Sequence, residues 1–327
     1  MNRREDDREG MALLTVLLLV AVMSAVAVVI LDDARFSVRR TTNVETQAQA
    51  QWYAAGAESL ARRQLTQLAR IDPNRTPLEP RWNGRVLSFP IEEGGVRATL
   101  TDGQACFNLN SVVIGQGEDL ITDPDGAARF IALGRAVGIA PARMEAVAAA
   151  LTDWLDGDAE ARLQGGEDAR YAGLPTPYRT GGVMLAEVSE LRAVAGMDDA
   201  LYRRLRPWVC ALPTTRLSIN VNTLTPAQAP LLLMVGGGTL NLGAAKAALA
   251  SRPPGGWATP DAFWSQPALS AFASTEGMRD LTSVVTRYFS LRVDVDLVEA
   301  HAVRTALIHA PPQGDARTVI RRWTPDE

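Results

Sequence analysis

A long apolar run near the N-terminus constrains the fold of this chain more than any other feature. Residues 12–31 contain no charged residue, no glycine and no proline. As a helix, a segment of this length extends about 30 Å, which is the thickness of the hydrocarbon core of a bilayer. Since backbone polar groups in lipid must be satisfied within the segment, a helix is the expected form. The rest of the chain has the composition of a soluble domain, so the sequence predicts a protein tethered to a membrane by its N-terminus.

The residues on either side of the run leave three interpretations. A secretory signal peptide has a shorter apolar stretch and then a cleavage site of small residues, whereas here the helical pattern continues through Arg70. An unprocessed single-span anchor is the second interpretation. In the third, a charged leader of residues 1–10 is removed by cleavage between Gly10 and Met11, which resembles the class III leader of type IV pilins and type II secretion pseudopilins. Arginines lie on both sides of the run, so they do not fix its orientation.

Charge and cysteine content exclude some classes of protein. The 327 residues carry a formal net charge of −4 and a single lysine, Lys246, which argues against a protein that binds nucleic acid by neutralising phosphates. Cys106 and Cys210 are the two cysteines. In an oxidising compartment they could form a disulfide that closes a long loop, and two buried free thiols are the alternative.

The residues after the apolar run predict that the helix continues to residue 70. Apolar and small residues recur there at helical spacing among polar ones, which is typical of a helix that packs one stripe against a sheet. Pro73 then ends the helix. Strands are predicted at 85–91 and 96–100, because both segments alternate in polarity around a glycine-containing turn at 93–95.

The middle of the chain is predicted to be mostly helical, with strands returning near the C-terminus. The predicted helices are 127–137, 141–155, 185–193, 199–209 and 226–235, and the later strands are 283–296, 302–309 and 318–323. Strands on both sides of a helical block indicate an α+β fold, in which a pilin-like long N-terminal helix packs on an antiparallel sheet and a large helical domain is inserted between the strands. The predicted parts are a cleaved leader at 1–10, a transmembrane and amphipathic helix at 11–70, a sheet part at 71–113 and 283–327, and a helical insertion at 114–282.

Several motifs, taken together and in order, resemble those of one family. They are Arg8–Leu14, Asp102–Asn110, Leu151–Asp158, Gly166–Tyr171, Pro177–Arg179, Glu190–Arg192, Leu205–Pro207 and Ile219–Thr223. Their order and spacing cover nearly the whole chain and resemble the K-type minor pseudopilins of type II secretion systems, general secretion pathway protein K. Most pilin-like proteins carry a glutamate at the fifth residue of the mature chain, where this chain has Thr15. That glutamate pairs with a neighbouring subunit inside the membrane, so its absence fits a subunit at the filament tip.

The resemblance implies a non-enzymatic component of a bacterial secretion system. It implies a single-pass protein of the inner membrane, with its C-terminal domain in the periplasm, that supports export of folded proteins across the outer membrane from the pseudopilus tip. The implied partners are the I- and J-type minor pseudopilins, the inner-membrane assembly platform, and a prepilin peptidase that cuts after Gly10 and methylates the amine of Met11.

Five carboxylates near the end of the predicted helix 141–155 form a candidate metal site. They are Asp153, Asp156, Asp158, Glu167 and Asp168. Asp153 and Asp156 share a helix face, and acidic groups at a helix C-terminus oppose its dipole unless a cation neutralises them. Hard oxygen ligands favour Ca²⁺. The spacing excludes an EF-hand and leaves a solvated acidic loop as the alternative. Because the resemblance implies calcium bound in the helical domain, a structural Ca²⁺ ion is expected here.

A membrane-tethered DNA-binding protein is the alternative function. Residues 219–276 resemble the helix-hairpin-helix modules of competence DNA receptors, which hold phosphate with backbone amides and nearby cations. Few cations accompany this segment, namely Lys246 and Arg252, so no nucleic acid is expected as a partner. Enzyme classes find no support in the sequence. Its two histidines, His301 and His309, belong to no metalloprotease, hydrolase or phosphate-loop motif.

Overall fold

The computed structural model describes residues 3–117, 119–237, 239–272 and 275–324. Helix α1 runs without interruption from Arg3 to Ile71. Among the described residues it is the one helix long and apolar enough to cross a membrane, and its most apolar stretch, with a mean hydropathy of 3.0, is not buried by the rest of the protein. Only the second half of α1 packs, through buried residues that include Ala50, Ala54 and Leu65. The helix therefore joins an exposed apolar rod to a packed stem.

The stem of α1 lies on a five-stranded antiparallel sheet. Its strands are β1 (Val86–Ile91), β2 (Gly94–Asp102), β9 (Tyr288–Leu297), β10 (His301–His309) and β11 (Arg317–Arg322), hydrogen-bonded in the order β1-β2-β9-β10-β11. In β9 the apolar side chains of Phe289, Leu291, Val293 and Val295 are buried and alternate with less buried polar ones. This alternation gives the sheet one apolar face, which forms a core with α1.

The helical domain is inserted between β2 and β9. Its helices are α2 (Pro124–Ala136), α3 (Pro141–Leu155), α4 (Asp168–Ala172), α5 (Asp199–Leu205), α6 (Ala229–Val235), α7 (Leu242–Ala250), α8 (Pro260–Trp264) and α9 (Glu276–Asp280). Its short strands are β3 (Phe107–Asn108), β4 (Val113–Gln116), β5 (Asp119–Thr122), β6 (Val209–Cys210), β7 (Ile219–Asn220) and β8 (Thr282–Ser283). These elements surround a second apolar core, which already includes Phe107, Leu109 and Val113. The side chains at 107–113, predicted as part of the sheet region, thus pack with the helical domain.

Two parallel strand pairs and a disulfide close the helical domain. Strand β3 pairs with β6, and β7 pairs with β8. Cys106, just before β3, and Cys210, in β6, form a disulfide between residues 104 positions apart. The first and second halves of the inserted domain are therefore both tied to the segments that leave and re-enter the sheet.

A buried carboxylate lies where the two cores meet. Asp102, the last residue of β2, accepts hydrogen bonds at Oδ2 from the hydroxyls of Thr223, at 2.6 Å, and Thr286, at 2.8 Å. Its Oδ1 accepts one from the backbone N–H of Gln104 at 2.7 Å. Burial raises the pKa of Asp102 to about 6, against the lowering effect of these hydrogen bonds. One carboxylate therefore connects the sheet, the helical domain and the segment that returns from it.

The α+β fold with its pilin-like helix, antiparallel sheet and helical insertion is confirmed. Three predicted boundaries are wrong. The segment predicted as a helix at 185–193 forms only a 3-10 helix at Val188–Ala193. The helix predicted to reach 209 ends at Leu205, because a proline lies two residues later. The strand predicted from 283 begins at Tyr288, since the preceding residues pair with β7 or cross between the two cores.

Candidate functional site

The end of α3 buries two of the predicted metal-ligand carboxylates. Asp153 lies in the last turn of the helix and Asp156 follows its end, and both side chains are fully buried. The helix positions them three residues apart on one face, as the spacing predicts. Both groups are carboxylates, and their oxygen atoms are the ligands that a hard cation prefers.

The loop after α3 folds back over Asp153. Its Oδ2 accepts hydrogen bonds from the backbone N–H groups of Arg162, at 3.0 Å, and Gly166, at 2.8 Å. A Cβ atom at Gly165 would lie 2.0 Å from the same oxygen, so only glycine allows the loop to approach this closely. The backbone thereby fixes one oxygen of Asp153 and brings residue 167 to the site.

Three carboxylates converge at this point. Asp153, Asp156 and Glu167 each offer an oxygen, and these oxygens all lie within 4.8 Å of one another. Oδ1 of Asp156 and Oε1 of Glu167 are buried and have no hydrogen-bond partner. Burial raises the pKa of Glu167 to about 7, and the charges of the neighbouring aspartates act in the same direction. Unpartnered buried oxygens in a cluster of like charge are what a bound divalent cation would satisfy.

Two further groups complete the surroundings of these carboxylates. The Thr122 hydroxyl donates a hydrogen bond to Asp156 Oδ2 at 3.2 Å. The Arg162 guanidinium donates through Nη1 to Asp153 Oδ1 and lies 2.9 Å from Asp156 Oδ2. Sequence reasoning missed both residues. An arginine within an acidic loop was an available signal for Arg162, whereas Thr122 precedes Asp156 by 34 positions and carried no signal.

The structure separates the other two predicted ligands from this cluster. Asp158 is exposed, and its Oδ1 accepts a hydrogen bond from the backbone N–H of Glu160 at 2.8 Å. Asp168 is also exposed and accepts hydrogen bonds from the backbone and hydroxyl of Thr180, at 2.9 and 3.0 Å. The five candidates therefore divide into a converging set of three, formed by the buried Asp153 and Asp156 and the partly buried Glu167, and two exposed aspartates that bond elsewhere in the loop.

An aromatic cluster holds the rest of the loop. The ring of Trp154 lies edge-on to Tyr171, with centroids 5.2 Å apart, and Tyr178 lies 5.2 Å from Tyr171. The Tyr171 hydroxyl accepts a hydrogen bond from the backbone N–H of Ala195 at 3.1 Å. Trp154 directly follows Asp153 in α3, so the aromatic cluster packs on the same helical turn that carries the first of the buried carboxylates.

The segment predicted to resemble a DNA-binding module uses its arginine internally. Nη1 of Arg252 donates hydrogen bonds to the carbonyl oxygens of Asn222, at 2.7 Å, and Leu224, at 2.8 Å. The Asn222 side chain donates through Nδ2 to the carbonyl oxygen of Trp257 at 2.9 Å, and its Oδ1 accepts from the backbone N–H of Trp257 at 2.8 Å. Gly238, in the glycine run, lies outside the described residues. The arrangement is a packing motif, and it gives no support to DNA binding.

The predicted cleavage position lies within α1. Gly10 and Met11 are both helical, and Met11 is exposed. Residues 1 and 2 of the predicted leader lie outside the described part of the chain. The two histidines lie in β10 and contact the neighbouring strand β9. His301 Nδ1 is 2.6 Å from Asp296 Oδ1, and the ring of His309 stacks on Tyr288.

Comparison with known proteins gives a consistent result. Two family profiles, both described as type II secretion system protein K, match residues 105–214 and 219–284. The type II secretion system protein K of Klebsiella pneumoniae is 37% identical over 332 residues and aligns over 100% of both chains. That of Pectobacterium carotovorum subsp. carotovorum is 37% identical over 310 residues, with 94% of each chain covered. That of Pseudomonas aeruginosa is 30% identical over 323 residues, covering 96% of this chain and 92% of the relative.

A solved structure has the same fold. It is the crystal structure of the GspK-GspI-GspJ complex from the type 2 secretion system of enterotoxigenic Escherichia coli, one chain of which aligns with a TM-score of 0.77 at 33% identity. The alignment covers 88% of this chain and 99% of that one. The resemblance drawn from the sequence motifs is confirmed: by sequence and by fold, the chain belongs to the type II secretion system protein K family and is a minor pseudopilin.

Proposed function

We propose that this minor pseudopilin occupies the tip of the pseudopilus. The observation that carries this proposal is the union of an exposed apolar rod, the first half of α1, with a bulky helical domain inserted in the sheet. The rod suits either lipid or the apolar centre of a filament, so it allows the protein to pass from one to the other. A domain of this size would obstruct the addition of another subunit beyond it, which fits a terminal position.

The proposed orientation places the leader in the cytoplasm and the packed domains in the periplasm. A peptidase would then cut between Gly10 and Met11 and leave the apolar helix at the new N-terminus. Replacing Gly10 with leucine tests this step. We expect the precursor to accumulate on a gel and secretion to fall, whereas normal maturation with intact secretion would contradict it. Gly56→Leu, on an exposed part of the same helix where no atom lies within 4 Å of an added Cβ, is the matched control and should mature normally.

The proposed partners are the I- and J-type minor pseudopilins. The related GspK was solved in a complex with GspI and GspJ. Beyond the apolar rod, α1 of this chain still exposes Phe36, Val38 and Val44, and on the stem it exposes Trp52, with 77% of its surface accessible. Exposed apolar residues on a helix suit packing against other helices. Co-purification of the full chain with the I- and J-type proteins from detergent tests this, and Trp52→Glu is expected to weaken recovery of the partners.

We further propose that Asp153, Asp156 and Glu167 bind a structural Ca²⁺ ion. Support comes from the convergence of their oxygens and from the two buried oxygens without partners. Bound calcium would neutralise the cluster and fix the loop after α3. In thermal melts of the full chain in detergent, calcium is expected to raise the Tm relative to a chelator, because a ligand specific for the native state stabilises it. Identical melts would contradict the site, and Asp158→Asn is the matched control because it removes a nearby charge outside the cluster.

The proposed role includes no catalysis. Within the described residues, the converging acidic group contains no histidine or cysteine, and each histidine lies in the sheet. The protein is therefore proposed to act through assembly alone. DNA binding by the full chain, if it were found and if it weakened with added salt, would instead favour the helix-hairpin-helix alternative.

A further inference from the structure

The guanidinium group of the partly exposed Arg162 reaches into the carboxylate cluster. Its Nη1 atom donates to Asp153 Oδ1 and is 2.9 Å from Asp156 Oδ2. These are two of the three residues proposed above to bind the cation. The guanidinium group therefore lies next to oxygen atoms of both carboxylates, in the position that a metal ion bound by them would also occupy.

The charges in this cluster do not balance. Three carboxylates face one arginine, and Asp156 Oδ1 and Glu167 Oε1 still have no hydrogen-bond partner. Buried carboxylates are costly without a counter-charge, so removing Arg162 with nothing in its place would leave Asp153 and Asp156 unpaired. Arg162 is thus the counter-ion of the cation-free fold, and it neutralises the cluster only in part.

A divalent cation and Arg162 compete for the same oxygens. A lone pair that accepts an N–H hydrogen bond is not free to coordinate a metal, and two positive charges at that separation repel each other in a poorly solvated site. The side chain of Arg162 keeps 29% of its surface accessible, which gives it a route to solvent. Its backbone N–H holds Asp153 Oδ2 independently, at 3.0 Å, as does that of Gly166. The side chain can leave while the loop stays in place.

We propose that Arg162 is an internal counter-ion which a bound divalent cation displaces, so that this residue sets the affinity of the site. The inference rests on the cation site proposed above. It predicts two folded states of one site, one neutralised by arginine and one by metal. Removing the arginine side-chain charge would then destabilise the cation-free state and strengthen cation binding, because binding no longer has to break the arginine contacts.

The test compares calcium binding by the full chain in detergent for the wild type, Arg162→Gln and Arg179→Gln. Arg179 is the matched control, since 87% of its side chain is accessible and its Nε atom lies 3.9 Å from Asp168 Oδ2, outside the cluster. Hydrogen bonds to charged groups contribute enough that Arg162→Gln should bind calcium about tenfold to a hundredfold more tightly by calorimetry. Arg179→Gln should bind as the wild type does.

The second readout is the melting temperature. In chelator, Arg162→Gln should melt below the wild type, and calcium should raise its Tm by more than it raises that of the wild type. If the variant folds only with calcium, affinity is measured by titrating chelator into the loaded protein, and release at lower free calcium than in the wild type supports the proposal.

Two results would overturn the inference, and only one of them would also refute the proposed cation site. Equal or weaker calcium binding by Arg162→Gln, with normal binding by the wild type, refutes displacement and leaves the cation site standing. No calcium binding by the wild type or either variant refutes the cation site itself, and the inference falls with it. Binding by Arg162→Gln alone would support the inference and show that the arginine holds the site against calcium.

Discussion

Glu58, at the middle of the packed half of α1, accepts two hydrogen bonds from the guanidinium of Arg321 in β11, with Nε at 3.0 Å and Nη2 at 2.6 Å. The same carboxylate accepts hydrogen bonds from Arg304 and from the Thr318 hydroxyl. Burial acts to raise the pKa of Glu58, but these partners outweigh it and lower the pKa to about 2. A single buried carboxylate therefore pins the long helix to two strands of the sheet.

Replacing Glu58 with glutamine is expected to destabilise the sheet domain by about 3 kcal/mol, because Arg304, itself nearly buried, loses its counter-charge. Urea unfolding of the full chain in detergent, followed by near-UV circular dichroism, measures this. Glu45→Gln on the exposed part of α1 is the control and should leave the midpoint unchanged. A glutamine variant at position 58 as stable as the wild type would show that the ion pairs contribute nothing net.

The low pKa of Glu58 also fixes the direction of its pH effect. Since the folded-state pKa of about 2 lies below the ordinary value of 4.5, its stabilising contribution is complete above pH 4.5 and is lost as the pH falls toward 2. The difference in unfolding free energy between wild type and Glu58→Gln should therefore shrink over that interval. A difference that stays constant with pH would mean that the carboxylate is not charged in the fold.

Asp102 has the opposite pH dependence. Its pKa of about 6 in the fold exceeds the ordinary 3.8, so the native state binds the extra proton and this residue's contribution to stability falls as the pH rises from 3.8 to 6. Asp102→Asn should remove a decline of about 3 kcal/mol over that range. The readout is the difference between wild-type and variant unfolding curves at pH 4 and pH 7. Parallel curves would contradict the assignment.

The disulfide between Cys106 and Cys210 closes a loop of about one hundred residues. Replacing both cysteines with alanine is expected to cost about 4 kcal/mol, since the unfolded chain regains the freedom that the cross-link removed. The loss should appear in the helical domain, where both residues lie. Reduction of the wild-type protein should reproduce it, and a wild type whose melting is insensitive to reductant would argue that the bond contributes little.

Gly165 provides a steric test of the loop over the carboxylate cluster. An added methyl group would lie 2.0 Å from Asp153 Oδ2, so Gly165→Ala should displace the loop and lower stability by about 2 kcal/mol. It should also weaken calcium binding. Gly255→Ala, where no atom lies within 4 Å of the added carbon, is the control. Unchanged melting and calcium binding in the position-165 variant would show that the loop does not need its close approach.

Local sequence patterns predicted most of the fold but only part of the carboxylate site. The polarity alternation at 85–91 and 96–100 and the helical spacing after the apolar run predicted the first sheet strands and the stem of α1, because both depend on residues near one another in sequence. Asp153 and Asp156 could be paired for the same reason. The approach of Glu167 depends on how a glycine-containing loop folds, and the contacts of Thr122 and Asp102 join segments far apart in sequence. No periodicity encodes those contacts.

The inserted domain leaves the sheet and returns to it through neighbouring strands, since Asp102 at the end of β2 lies opposite Phe289 near the start of β9. The two positions at which the inserted domain joins the sheet are therefore as close as the two ends of a β-hairpin loop. Evolution could enlarge, shrink or exchange everything between them while the pilin-like scaffold kept its register. The protein is therefore modular: the pilin-like scaffold carries a helical domain that is attached through two adjacent strands and can be exchanged.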